Sequence, residues 1–263
     1  MAGQEGGCSL AAFFFGCSTD SLWPKSDRVP AVVRTPVSQE VSPYVRYGVQ
    51  LLGTLLILAF VPTNLGKAAA FLVLWAFTFR RLSMPEAVFG ASICVFFTAM
   101  NAATLQQGVF AFTDPDFLGM PVYELFMWGF YLLHVRRVIG GSAPGDQRPL
   151  FIWILAALYA AAFGLISDPQ WLFWATATLL LVGLARHHTR RDFAFVGYMI
   201  LLGALIEYVG VHSGHWYYPD DPPGGVPVWF VTLWGGVGFF LHRLALPLIE
   251  RFERAEGGTR RPA

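Results

Sequence analysis

Apolar residues gather into eight runs near 47–63, 66–80, 85–106, 119–138, 150–167, 170–185, 193–212 and 225–245. A helix needs about 20 such residues to cross a hydrocarbon core about 30 Å thick. The pattern predicts an all-α integral membrane protein with about eight transmembrane helices. The second and sixth runs are the shortest, and tilting or local bilayer thinning would accommodate them. A polar break, GGSAPGDQRP at 140–149, divides the runs into two sets of four.

The two sets match. GVFAFTDPDFLGMPVYELFMWGF, from Gly108, and GHWYYPDDPPGGVPVWFVTLWGG, from Gly214, align without a gap at an offset of 106. Asp114 falls on Asp220, Gly119 on Gly225, Pro121 on Pro227 and Trp128 on Trp234. The same offset reaches back to Arg80 with Arg186 and Glu86 with Asp192. Two tandem four-helix repeats follow, residues 46–139 and 150–246, joined by a cytoplasmic linker at 140–149. A disordered leader is expected at 1–45 and a cytoplasmic tail at 247–263. Convergence of aromatic-rich loops by composition is the alternative. An even number of spans gives both repeats one orientation, with a pseudo-symmetry axis along the membrane normal and a site between them.

Charge fixes the topology. Only 13% of the 263 residues are charged and 55% are hydrophobic, against about 25% charged in soluble domains. A net charge of +1 gives no bulk attraction to nucleic acid. Cytoplasmic loops are rich in Lys and Arg. With the N-terminus inside, every arginine falls on the cytoplasmic side, and Lys67 is the one basic residue outside. Both termini are therefore expected in the cytoplasm, in a multi-pass protein of a bacterial inner membrane. Cys8, Cys17 and Cys94 show neither metal-ligand spacing nor a disulfide framework, and Cys94 is expected to pack as a small hydrophobe. The apolar patch LAAFFF follows no basic residue, which argues against a signal peptide and for a flexible cytoplasmic leader.

The repeated loop has an ordinary explanation for most of its residues. Trp and Tyr favour the membrane interface, Pro121 and Pro227 suit a first helical turn, and Gly119 and Gly225 let the backbone turn. Asp114 and Asp220, with Asp116 and Asp221 beside them, suit turn caps. They could also hold a hard cation, but no ligand spacing supports it, and neither a metal nor a cofactor is assigned.

The halves differ at their acids and histidines. Glu207 stands opposite Asn101, Glu124 opposite Phe230, His212 opposite Gln106 and His215 opposite Val109. An intramembrane carboxyl is a functional candidate by default, and withdrawal from water favours its neutral form, able to give a proton. Glu124 and Glu207 are the candidate catalytic acids. Asn101, His212, His215, Trp216, Tyr218, Trp128, Trp234, Asp114 and Asp220 are candidates for substrate binding. A structural hydrogen bond from Asn101 or a Tyr to Glu207 is the alternative. His134, His187, His188 and His242 fall on the arginine-rich side and are expected among lipid headgroups. The only lysines, Lys25 and Lys67, are not mid-helix, which excludes a retinal Schiff base.

Trp216, Tyr217 and Tyr218 with Gly225, Val226 and Pro227, and the helix start Pro121, Glu124 and Phe126, resemble the lycopene cyclase domain family and related membrane proteins of carotenoid biosynthesis. The similarity spans residues 100–245 in outline. That family carries an aromatic W-x-Y loop, a Gly-Pro turn into a helix, and a P-x-E-E-x-x-F start whose glutamates are taken as catalytic. Tyr123 stands here in place of the first glutamate, and Trp229 and Phe230 replace both in the second copy. The resemblance implies proton-initiated cyclisation or isomerisation of an isoprenoid chain, with Glu124 or Glu207 giving the proton and aromatic faces stabilising cations.

The leading expectation is an integral-membrane enzyme acting on an isoprenoid or other lipid in a cavity between the repeats. A small proton-coupled transporter using Glu207 and His212, a lipid-binding protein, and a structural subunit of a membrane complex are the alternatives; a homo-oligomer also stays open. An enzyme should have an apolar cavity on which both acids converge, whereas a subunit should leave the acids paired within the protein.

Overall fold

The computed structural model describes residues 42–259 apart from Gln147. Most of the expected leader, with Cys8, Cys17 and Lys25, lies outside the described residues. The described chain is mainly helical: α1 Pro43–Phe60, α2 Asn64–Thr78, α3 Met84–Gln106, α4 Glu124–Ile139, α5 Pro149–Leu165, α6 Pro169–Arg186, α7 Arg190–His212 and α8 Trp229–Phe240. A π-helical turn, Leu241–Ala245, carries α8 directly into α9, Leu246–Thr259. By length and hydropathy α1, α3, α7 and the stretch Pro223–Ala255 could each cross a membrane; α2 and α5 are apolar but shorter.

Local chemistry starts these helices where they start. Proline occupies the first turn of α1, α3, α5 and α6, where its missing N–H has no helical acceptor to lose. Thr63 and Asp168 cap α2 and α6 through backbone N–H groups of Gly66 and Trp171. Ser83 with Glu86, and Thr189 with Asp192, form capping boxes on α3 and α7. The boxes, and both ends of α3 and α7, lie 106 positions apart. The starts of α1 and α5 show the same spacing.

The two copies of the repeated loop pair with each other. Strands β1, Ala111–Phe112, and β2, Trp216–Tyr217, run antiparallel with Ala111 opposite Tyr217 and Phe112 opposite Trp216. The Thr113 N–H extends the ladder to the His215 carbonyl at 2.9 Å.

At the opposite end, the arginine end, each half buries an ion network. The capping acid Glu86 takes Arg137 Nε at 2.8 Å and Arg136 Nη1 at 2.7 Å. In the second half Asp192 takes Arg243 Nε at 2.6 Å and His242 Nδ1 at 2.7 Å. The partners also match at the offset of 106: Arg136 with His242, and Arg137 with Arg243. Further contacts link neighbouring segments, among them Arg136 to Glu253 of α9 at 2.8 Å and Asp146 of the linker to Arg243 at 2.5 Å.

Several expectations are corrected. Helix α4 begins at Glu124, not near 119, because Pro121 sits in a preceding turn and its carbonyl accepts the Glu124 N–H at 3.0 Å; Pro227 does the same for Phe230 at 3.2 Å. The segment from 247 continues as helix to Thr259. Pro247 cannot donate within a helix, and the π turn precedes it, with the Leu246 N–H bonded to the Leu241 carbonyl five residues back. His134, His187 and His242 are buried and bonded to protein groups rather than lipid; His188 is exposed. Lys67 is no loop residue but the fourth residue of α2, only 1% exposed.

Small residues set the close approaches, as is usual where lipid gives no hydrophobic drive. A Cβ on Gly129 of α4 would lie 2.8 Å from the Gly90 carbonyl of α3. Cys94 fills the same seam, its thiol donating to the Phe126 carbonyl at 3.5 Å.

Candidate functional site

Helix α7 presents Gly203, Glu207 and Gly210 on one face, since residues three and four apart align on a helix. Glu207 is 8% exposed and its carboxyl collects three donors. Trp216 Nε1–H and the Tyr218 hydroxyl donate to Oε2 at 3.0 and 2.8 Å. Trp234 Nε1–H donates to Oε1 at 3.1 Å. The two glycines make this possible: a Cβ on Gly203 would collide with the Trp234 ring, and one on Gly210 with the Trp216 ring. Two of the donors come from the repeated loop and one from α8.

The equivalent positions of the first half are built differently. Phe97, Asn101 and Thr104 of α3 replace Gly203, Glu207 and Gly210, and Phe110 and Phe112 replace Trp216 and Tyr218. Only the α8 tryptophan has a counterpart, Trp128. Its ring stacks on Phe97, with centroids 4.0 Å apart and planes 7° apart, so the phenyl group fills the space that glycine leaves open in α7. Trp128 Nε1 is buried with no hydrogen-bond partner among the described residues.

Helix α4 supplies its own acid. Glu124, Trp128 and Tyr131 share a face at spacings of four and three. Glu124 Oε1 accepts a long bond, 3.5 Å, from Asn101 Nδ2, and the two glutamates are close enough to repel when both are charged. Trp128 stacks on Trp234 across the halves at 4.7 Å and 27°, and Tyr131 lies against Trp234 at 5.4 Å. The acids of the two halves therefore meet behind one aromatic wall.

Their bonding gives them different chemistry. Three donors hold the Glu207 carboxyl in one orientation. Glu124 has one weak contact and an oxygen with no partner among the described residues, and the Trp128 N–H, one turn along the same helix, also lacks one. Glu124 can therefore give or take a proton.

Other candidates lie elsewhere. His212 is exposed and bonds the Tyr208 carbonyl at 2.8 Å through Nδ1, so it does not join Glu207. His215 bonds the Leu58 carbonyl through Nε2. Asp114 and Asp220 are exposed; the Asp114 backbone carbonyl accepts Asn64 Nδ2 at 2.7 Å. Asp116 caps the turn before α4, its Oδ2 accepting the Val122 N–H at 2.9 Å. Among the described residues no group of three or more His, Cys, Asp or Glu is arranged to hold a metal ion.

An apolar groove of about 460 Å³ opens between α3, α5 and α8, walled by Phe97, Met100, Leu132, Tyr159, Phe163 and Val237. Neither glutamate lines it, so the expected convergence of both acids on an apolar cavity is not met. Phe97 connects the two regions, because it walls the groove and also carries the stacked Trp128.

Gly203, Gly210 and Phe97 are site residues that the sequence reading passed over. The three-and-four spacing of the glycines around Glu207 was a readable signal, as was Phe97 opposite Gly203 in the alignment of the halves. No protein-family model matches the chain, and no curated protein or solved structure is similar to it.

Proposed function

We propose that the chain is a multi-pass protein of a bacterial inner membrane, built as two tandem four-helix repeats with both ends of the repeat pair cytoplasmic, and that it acts on an isoprenoid or other lipid chain held between the repeats. The recurrence of the α1 and α5 starts, the α3 and α7 ends, the capping boxes and the ion networks at one offset supports the duplication. The concentration of arginine at one end supports the orientation.

The observation that carries the functional reading is the groove between α3, α5 and α8. Its volume of about 460 Å³ and its aliphatic and aromatic walls suit a hydrocarbon chain. Glu124 shares a face of α4 with Trp128, which stacks on Phe97, and is the acid that would initiate cyclisation or isomerisation. Glu207 is a positioning residue: its three donors fix Trp216, Tyr218 and Trp234, and through Trp234 the ring stacked on Trp128. Aromatic faces at this position would stabilise a cationic intermediate.

The test is extraction of lipids and pigments from cells with and without the protein, with mass spectrometry of the purified protein for retained lipid. A species that changes abundance with the wild type but not with Glu124→Gln supports the reading. If no lipid is retained and none changes, the reading fails. Glu124→Gln should leave thermal stability nearly unchanged, within about 0.5 kcal/mol, because Gln keeps an acceptor for Asn101.

A further inference from the structure

Near the loop end of α2, two buried donors lie close together with no acceptor bonded to either among the described residues. Lys67 is 1% exposed, and no salt bridge or side-chain hydrogen bond holds its ammonium among the described residues. The nearest recorded partner is the ring of Tyr123, whose centroid lies 5.7 Å from Nζ. Tyr123 is fully buried, and its hydroxyl has no hydrogen-bond partner among the described residues. Phe71 backs that ring at 6.0 Å.

The surrounding charges do not resolve the deficit. Asp114 attracts Lys67 but lies beyond ion-pair distance, and Asn64 ties up the Asp114 backbone rather than its carboxylate. Asp116 and Glu124 both act on Tyr123 electrostatically without bonding its hydroxyl. Burial lowers the basicity of the His215 ring, against its bond to the Leu58 carbonyl, and the nearby Lys67 lowers it further; His215 is thus a neutral neighbour. A buried ammonium without a counter-charge is strongly unfavourable. A buried hydroxyl without an acceptor adds to that cost.

We propose that Lys67 and Tyr123 form a binding site for a singly charged oxyanion, a carboxylate or a phosphodiester, with the ammonium as counter-ion and the phenol as hydrogen-bond donor. One cation matches one negative charge, and the aromatic floor of Phe71 and Tyr123 suits an amphiphile whose charged end rests on Lys67. The site lies on the α2 side of α4, whereas the groove is walled from α3, α5 and α8, so it does not rest on the groove's reading as a lipid site.

The experiment measures the melting temperature of the purified full chain in a neutral maltoside detergent. The probes are decanoate, dihexanoyl phosphatidylglycerol and inorganic phosphate, with dihexanoyl phosphatidylcholine as the control without net charge. Wild-type protein should melt at a higher temperature with decanoate or phosphatidylglycerol than with the control. A shift with inorganic phosphate as well identifies a free-anion site; a shift with the amphiphiles alone identifies a headgroup site. Tyr123→Phe should weaken the apparent affinity by about tenfold, the worth of one hydrogen bond to a charged group. Lys67→Met should abolish the response and, because it removes an uncompensated charge, should melt at a higher temperature than wild type without any probe. The proposal is overturned if no anion shifts the wild type, if Lys67→Met keeps the response, or if Lys67→Met melts lower without a probe.

Discussion

The two halves share a frame and spend it differently. On α7 a carboxyl between two glycines gathers three donors, and no polar atom of that cluster is without a partner. On α3 and α4, a phenyl group occupies the glycine's place, an amide replaces the acid, and an indole and a phenol stay buried without partners. A satisfied buried network rigidifies, while an unsatisfied one signals strain, chemistry or a ligand. On the proposed function, the second half serves as the scaffold and the first half carries the reactive groups.

This contrast can be broken in graded steps. The largest effect belongs to Glu207→Leu, which orphans Trp216, Tyr218 and Trp234 together and should destabilise the fold by about 3–5 kcal/mol. Equilibrium unfolding in mixed micelles measures it, and a loss below about 1 kcal/mol would show that the donors are satisfied without the carboxyl. Next come the ion networks. Asp192→Asn takes the buried counter-charge from Arg243, which keeps only the exposed Asp146, and should cost about 3 kcal/mol. Glu86→Gln should cost less, about 1–2 kcal/mol, because Arg137 is partly exposed and Arg136 keeps Glu253. Equal losses would mean that the networks are equivalent despite their different partners.

The smallest and sharpest comparison uses the two matched tryptophans. Trp234→Phe removes a donor from Glu207 and should cost about 1–2 kcal/mol. Trp128→Phe removes an N–H that bonds nothing among the described residues and keeps the stack on Phe97, so its cost should stay within about 0.5 kcal/mol. If lipid conversion is measurable, Trp128→Phe should impair it while leaving melting unchanged. Equal stability losses at both positions would remove the distinction between the halves.

Much of this frame was legible in the chain. The offset of 106 anticipated the matched ends of α3 and α7, and Glu86 opposite Asp192 anticipated the paired capping boxes. Glu124, Glu207, Asn101, Trp128, Trp216, Tyr218 and Trp234 stood out as polar or aromatic groups in apolar surroundings, and the structure brings those seven together. The partner of each acid was not legible, because it depends on which side chain the space at Gly203 or Phe97 admits. His212 was misleading because five residues from Glu207 turns it to another face of the helix. The charge pattern correctly gathered the arginines at one end but gave no sign that His242 and Arg243 turn inward onto Asp192. A charge count reports composition, and whether a charged group faces lipid or protein depends on the packing of its neighbours.

The pairing of β1 with β2 has a mechanical consequence. The copied loops act as a clasp: each half grips the other through the same segment, backbone to backbone, at one end of the helices. At the other end the segments are tied by side chains, among them Arg136 to Glu253 and Asp146 to Arg243. Parting the halves at the loops therefore costs backbone hydrogen bonds as well as packing.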